Sequence, residues 1–416
     1  MAQPEGVSQW VEEVTRELPC LSPAQARVLA WCSYGMAYTR SCACHTVALF
    51  LGLLLGRGYH AGYPLAGEQC LREWCYDAED TCGLGRRAVE VEACFAPLLG
   101  WVLRRWSGTR LALALDDTRA RVPALGSRFV VLTVSVVYRG CAIPVAWKVL
   151  AAGEPRAWRR EWLVLLRTLR PGVPPGWEVV VLADRGLYAG YPRTGVLYRR
   201  IVRLGWHPFL RINRGGTFHP AGQAQRRRLM ELVPRVGDSW AGRGVAFQGP
   251  ESRLRCTLLA RWDPGHKDPW LVLTDLDPRD CAVAWYGVRT WIEQGFKCIK
   301  RGGWQWQATR MDDPARAGYP LAGVLWLALA VATFWVIAVG DAAEQEAATP
   351  VLADLAPRPG RPRRARLFRL GLLTLLVAAI AAQPLPLPGH LSHDRWPGDL
   401  PPPDPTPAHS TTRHAA

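Results

Sequence analysis

The stretch from Pro320 to Gly340, PLAGVLWLALAVATFWVIAVG, runs without a single charge. An uncharged run of that length either crosses a bilayer or forms a helix buried on all sides in a large core. Its alanines and glycines, and its place close behind the most chemically loaded segment of the chain, favour the core helix and no membrane. A helix that needs cover all round demands a sizeable domain. The 416 residues, 49% hydrophobic and 21% charged, have the composition to build one.

Residues 1–108 read as helical: LSPAQARVLAWCSYGMAYTR, TVALFLGLLLG and RRAVEVEACFAPLLGWVLRRW carry apolar residues at helical spacing, flanked by arginines that suit a DNA-binding region. The texture then changes. LALALDD (Leu111 to Asp117), FVVLTVSVVYRG (Phe129 to Gly140) and AIPVAWKVL (Ala142 to Leu150) are apolar runs broken by turn residues, the pattern of three buried strands in a meander. A helix at RAWRREWLVLLRTLRP and a further strand, WEVVVLADRG (Trp177 to Gly186), make residues 109–188 an α/β region. Residues 189–284 read as a β-rich insertion of shorter, more polar strands, with a basic cluster at QRRRL (Gln225 to Leu229). Residues 285–345 hold a polar helix and the apolar one. Residues 346–416 form an Arg/Pro-rich tail with a short apolar helix from Leu370 to Gln383, and composition predicts disorder from Pro384 onward.

The formal net charge is +16 and the pI about 9.7, an excess that suits a polyanionic partner better than a small metabolite. The arginines are spread along the chain and not gathered at one end, which favours double-stranded DNA over a membrane surface. Twelve cysteines raise the question of compartment, and eight of them lie between Cys20 and Cys94. The N-terminus lacks the layout of a secretory signal, and the cysteine gaps are too irregular for paired zinc ligands. Buried free thiols in a cytoplasmic protein are the expectation.

Two aspartates stand where apolar strands end: Asp116 closes LALAL, and Asp184 closes VVVLA. One such residue is an ordinary turn or cap. Two of them suggest a metal site, because a carboxylate at the end of a buried strand is costly unless it is paired or holds a cation. A third acidic residue, Glu293, lies in WYGVRTWIEQGFKCIK (Trp285 to Lys300). Lysine occurs in this chain at Lys148, Lys267, Lys297 and Lys300, so two of four fall in that segment. At roughly 100° per residue, with Glu293 at zero, Tyr286 lies near +20°, Arg289 near −40°, Lys297 near +40° and Lys300 near −20°. On its own this face is equally an exposed row of i,i+4 ion pairs. Joined to two strand-end aspartates, it becomes an acidic triad for two Mg²⁺ ions beside a phosphate-binding strip.

Tyr286, Arg289, Glu293 and Lys300 stand in the spacing Y-x2-R-x3-E-x6-K. With ALDDT (Ala114 to Thr118), YRGCAIPVAW (Tyr138 to Trp147), LADRG (Leu182 to Gly186), PWLVLTDL (Pro269 to Leu276) and RGGWQWQATRMDDPARA (Arg301 to Ala317), the chain resembles the insertion sequence 4 family of bacterial DDE transposases. The resemblance implies an α/β fold with a ribonuclease H-like core, interrupted by a β-rich insertion and preceded by an all-helical N-terminal domain. It implies Asp116, Asp184 and Glu293 as catalytic residues and as ligands of two Mg²⁺ ions, with Mn²⁺ as a substitute. Tyr286, Arg289, Lys297 and Lys300 would bind DNA. Asp117 adjoins Asp116, and the family pattern, with Thr118 behind, selects Asp116. The implied activity is metal-dependent hydrolysis at transposon ends followed by 3′-OH strand transfer, performed by a homodimer at the bacterial nucleoid. A tryptophan of the insertion, Trp240, Trp262 or Trp270, would stack on a flipped base. The alternatives are an inactive DNA-binding descendant and a nuclease that hydrolyses without joining strands.

Overall fold

The computed structural model describes residues 5–56, 63–75, 87–121, 128–151, 158–185, 193–249, 253–308, 314–346, 366–393 and 395–397. Helices come first: α1 (Glu5–Glu17), α2 (Pro23–Thr39), α3 (Cys44–Leu54), α4 (Tyr63–Trp74) and α5 (Phe95–Arg104). The start of α2 is written in LSPAQ. Ser22 caps the helix, Pro23 fills its first turn, and Gln25 returns the hydrogen bond to Ser22.

The strands follow as β1 (Arg110–Arg121), β2 (Arg128–Tyr138) and β3 (Cys141–Ala151), then α6 (Trp158–Leu169), β4 (Glu178–Ala183) and α7 (Arg193–Arg203). After these come β5 (His207–Arg211), β6 (Thr217–Pro220), β7 (Arg227–Arg228), the single turn α8 (Leu229–Leu232), β8 (Ser239–Ala246), β9 (Leu254–Arg261) and β10 (Trp270–Thr274). They lie in one mixed sheet, ordered β3-β2-β1-β4-β5-β10-β9-β8-β6-β7. The first three strands form an antiparallel meander, and β4 and β5 run parallel to β1. The segment read as an insertion therefore extends the same sheet.

The polar helix expected after Trp285 is three helix types in succession. A 3₁₀ segment (Val283–Thr290) leads into α9 (Trp291–Lys297) and then a π-turn (Cys298–Gly302). Then come α10 (Pro314–Glu346) and α11 (Leu367–Ile380). The apolar run lies in α10, and its most apolar window is 94% buried. Trp10 of α1 stacks on Trp335 of α10 at 4.2 Å, and Trp101 of α5 meets Phe334 edge-on at 5.1 Å. Trp147 of β3 packs edge-on against Phe95 at 4.7 Å and lies 6.3 Å from Trp326. Helical region and sheet thus share one core around α10, and the boundaries drawn at residues 108 and 284 do not divide it.

The expectation of disorder from Pro384 does not hold where the chain is described. Leu391 is buried and bridges to Trp106 beside β1, and Trp396 is also buried. Ser392 donates its N–H to the fully buried Asp341 at 2.8 Å, and Tyr138 Oη donates to the Ser392 carbonyl at 3.0 Å. Asp341 also pairs with Arg139. Prolines stop this segment from forming helix or sheet, but its apolar side chains and satisfied polar groups still order it. Residues 398–416 lie outside the described residues.

No disulfide joins the described cysteines. Cys32, Cys42, Cys44 and Cys75 are buried, and burial pushes their thiols up. Helices α10 and α11 cross at two glycines: a Cβ on Gly340 would overlap the Leu367 carbonyl, and one on Gly371 the Val336 carbonyl. Gly371→Ala is expected to destabilise the protein by about 1–3 kcal/mol through this overpacking. Denaturant unfolding of the variant against wild type measures it, and equal midpoints would refute the close crossing.

Candidate active site

Register brings the first charges together. β1 pairs with β4 at Leu115↔Ala183, and β4 pairs with β5 at Ala183↔Leu210, all three strands being parallel. The next residues in line are Asp116, Asp184 and Arg211, so two carboxylates and a guanidinium sit in a row; β4 and β5 end there, whereas β1, contrary to the reading that Asp116 closes a strand, continues to Arg121 because β2 carries the ladder on beside it. Each aspartate accepts from the next backbone amide: the Asp117 N–H donates to Asp116 Oδ1 at 3.0 Å, and the Arg185 N–H to Asp184 Oδ1 at 2.7 Å. Arg211 Nη1 lies 3.7 Å from Asp184 Oδ1.

The segment after Trp285 lies across this row. Gly295 lets α9 press against β3, where a Cβ would come within 2.9 Å of the Ala142 methyl. In the preceding 3₁₀ turn residues three apart eclipse each other, so Tyr286 and Arg289 point the same way. Tyr286 Oη donates to Asp184 Oδ1 at 3.3 Å. Arg289 reaches all three acidic residues: Nη2 is 3.0 Å from Asp116 Oδ2 and 4.0 Å from Asp184 Oδ2, and Nη1 is 3.4 Å from Glu293 Oε1.

Burial decides the electrostatics. Tyr286 and Arg289 are 3% and 7% exposed. The Tyr286 hydroxyl is pushed up by burial and remains a proton donor at ordinary pH. Burial opposes the Arg289 charge, but Tyr286, Asp116, Asp184 and Glu293 outweigh it and raise its pKa. Its Nε is buried with no hydrogen-bond partner. Asp116 is pushed up to about 6, chiefly by burial and with Asp117 and Glu293 adding to it, although Arg289 pulls the other way. Lys300 is half-buried on the π-turn. Burial and then Arg301 lower its pKa, opposed by Asp117 and Asp116. Lys297 is exposed and makes no ion pair among the described residues.

The structure therefore gathers Asp116, Asp184, Glu293, Tyr286 and Arg289, sets Lys300 at the margin, and leaves Lys297 outside. Arg289 and Tyr286, expected to face phosphate, here face the carboxylates. Arg211 was missed by the sequence reading, although FLRIN ends an apolar run with a charge just as LALALDD and VVVLADR do. Trp270 meets Tyr286 edge-on at 5.4 Å, beside the site. Trp240 meets Phe218 edge-on at 5.6 Å, and Trp262 donates its indole N–H to the His266 carbonyl at 2.9 Å. All three are half-buried.

Two adjacent carboxylates are suitable oxygen donors for Mg²⁺. However, among the described residues no three His, Cys, Asp or Glu side chains stand around one point closely enough to hold a metal ion. Glu293, its side chain 53% exposed, meets the aspartates through Arg289. As the side chains stand, the site fits a guanidinium and not a divalent cation.

An unfolded aspartate titrates near 3.8, whereas Asp116 in the folded protein holds its proton to about 6. In that interval the folded state binds more protons, so stability falls as pH rises and the penalty is complete above about pH 6. Asp116→Asn is expected to stabilise the protein at pH 7–8 by at most about 2–3 kcal/mol, and to match wild type below about pH 4. Thermal melts across that range test this, and a variant less stable than wild type at pH 8 would contradict it.

No protein-family model matches the chain, and no curated protein matches it. Among solved structures it is similar to a piggyBac transposase, determined by cryo-EM as a synaptic complex with hairpin DNA. The likeness has 11% identity, covers 91% of this chain and 79% of that chain, and reaches a TM-score of 0.37. A likeness of that score carries no argument about this chain's chemistry.

Proposed function

We propose that the chain is a DDE-type DNA transposase, acting on double-stranded DNA as a dimer that brings two transposon ends together. The observation that carries the reading is the meeting of Asp116, Asp184 and Glu293 about one guanidinium, from three segments far apart in sequence. A ribonuclease H-like core is supported by the strand order β3-β2-β1-β4-β5, a meander followed by two strands parallel to the first. The basic excess and the Y-x2-R-x3-E-x6-K spacing support DNA as the substrate.

In this reading Asp116, Asp184 and Glu293 would hold two Mg²⁺ ions, or Mn²⁺, only once Arg289 has left them, and the metal would supply Lewis acidity. The chain's own residues orient and bind. Tyr286 and the Arg185 N–H fix the Asp184 carboxylate, and Asp117 N–H fixes that of Asp116. Lys300, half-buried at the margin of the site, would meet a phosphate arriving there. Arg289 would bind a second phosphate through its planar fork. Water would first attack the phosphodiester at the element's end, and the freed 3′-hydroxyl would then attack target DNA. The absence of a three-ligand set among the described residues favours one competing reading, an inactive DNA-binding descendant.

The test is incubation of the full chain with DNA carrying its own element's flanking ends, in Mg²⁺ or Mn²⁺, comparing wild type with Glu293→Gln. Nicking at the ends is expected to fall at least ~100-fold in the variant, the loss of a few kcal/mol of transition-state stabilisation, with DNA binding retained. Binding without nicking by wild type would establish the inactive descendant instead. Arg289→Ala and Lys300→Ala are expected to reduce nicking by ~10-fold or more while changing the dissociation constant for the same DNA by less. Equal losses in the two assays would remove their phosphate-positioning role.

A further inference from the structure

We infer that Arg289 holds the cation's place in the DNA-free protein, so that divalent metal and Arg289 occupy the carboxylate cluster in turn. The inference rests on the transposase reading and concerns the order in which that site is filled. Its ground is the disagreement between the acidic residues that the chemistry needs and the geometry they adopt. Asp116, Asp184 and Glu293 are drawn toward Arg289, at 3.0, 4.0 and 3.4 Å, and do not close on a common point of their own.

Three features make this more than a surface ion pair. The guanidinium is buried, so its attraction to the carboxylates is weakly screened. It lies among Asp116, Asp184 and Glu293, whose oxygens a divalent cation would need. A divalent cation and a guanidinium within a few ångströms repel strongly at any plausible local dielectric, so the arrival of one displaces the other. Thirdly, Arg289 is incompletely partnered, because its Nε is buried without an acceptor. Phosphate offers that nitrogen an acceptor and the whole fork a bidentate partner.

DNA phosphate thus becomes the natural receiver of Arg289. When a backbone phosphate draws the guanidinium off the carboxylates, the three side chains are freed for metal. Linkage makes the effect reciprocal: whatever DNA does for metal affinity, metal does for DNA affinity. Arg289 is in this sense a positioning residue that delays loading until substrate is present. Arginine suits the task better than lysine, since a planar fork reaches several carboxylates at once.

The experiment titrates Mn²⁺ into the full-length, DNA-free chain and follows the loss of the free-ion electron paramagnetic resonance signal. Wild type, Arg289→Ala and Arg289→Ala/Asp184→Asn are compared, with thermal melts to establish folding. Arg289→Ala is expected to bind Mn²⁺ at least ten-fold more tightly than wild type, and the double variant to lose the gain. Should Arg289→Ala fail to fold, Arg289→Gln, which keeps a neutral planar end, takes its place with the same expectation. Equal and tight Asp184-dependent binding by wild type and variant would overturn the placeholder while leaving the metal site intact. Absence of Mn²⁺ binding in every variant would overturn both the placeholder and the metal reading.

Discussion

Two aspartates on neighbouring parallel strands and a glutamate on α9 share one counter-charge, Arg289, and the segment from Val283 to Gly302 is what brings it to them. At 4 Å a unit charge pair is worth about 4 kcal/mol where the effective dielectric is near 20. Spread over Asp116, Asp184 and Glu293, such attraction repays the burial of one guanidinium only if the fork reaches all three. The 3₁₀ turn supplies the reach by eclipsing Tyr286 and Arg289 above the aspartates, and α9 then returns Glu293 to the same side. Gly295 and Ala142 permit the closeness, since any larger side chain at 295 would lift α9 off β3.

The back of the molecule is built to hold that arrangement still. β3, against which α9 rests, is covered in turn by Phe95 of α5 and Trp326 of α10, both meeting Trp147. The crossing at Gly340 and Gly371 lets α11 close on α10, and Phe368 of α11 packs edge-on against Trp304, just past the π-turn. Asp341 ties Arg139, at the turn between β2 and β3, to Ser392 of the tail. One buried charge pair therefore fastens the meander, the apolar helix and the C-terminal segment at a single point. Sheet, helices and tail are thus joined by direct contacts beneath the segment from Val283 to Gly302.

Much of this was legible in the sequence. Apolar runs that end in aspartate are visible without any structure, because alternation fails where both strand faces are buried; the charge marks the end of the buried run, which at Asp184 is the end of β4 but at Asp116 is the middle of β1. The shared face of Tyr286, Arg289 and Glu293 was also readable, although for an incomplete reason. A 3.6-residue and a 3.0-residue period agree over so short a span, so the pattern could not distinguish an α-helix from the 3₁₀ turn that forms. Arg211 escaped because its place depends on β4–β5 register, a pairing between segments that composition had assigned to different regions. The tail misled because proline content reports the absence of regular structure, whereas order there comes from Leu391, Trp396 and the Ser392 hydrogen bonds.

The chain's preference for arginine takes on a physical meaning at this site. Arg289 sits where charge must be shared among several oxygens in a dry place, and a weakly hydrated planar fork does that at less desolvation than an ammonium would. Lys300 stands at the wetter margin, half-buried, where Arg301 and burial already weaken its hold on its proton and the two adjacent aspartates restore part of it. Its compact ammonium suits one oxygen at a time. The phosphate of the proposed substrate would therefore meet two cations in different settings: a half-buried lysine at the rim, and a buried arginine shared among three carboxylates.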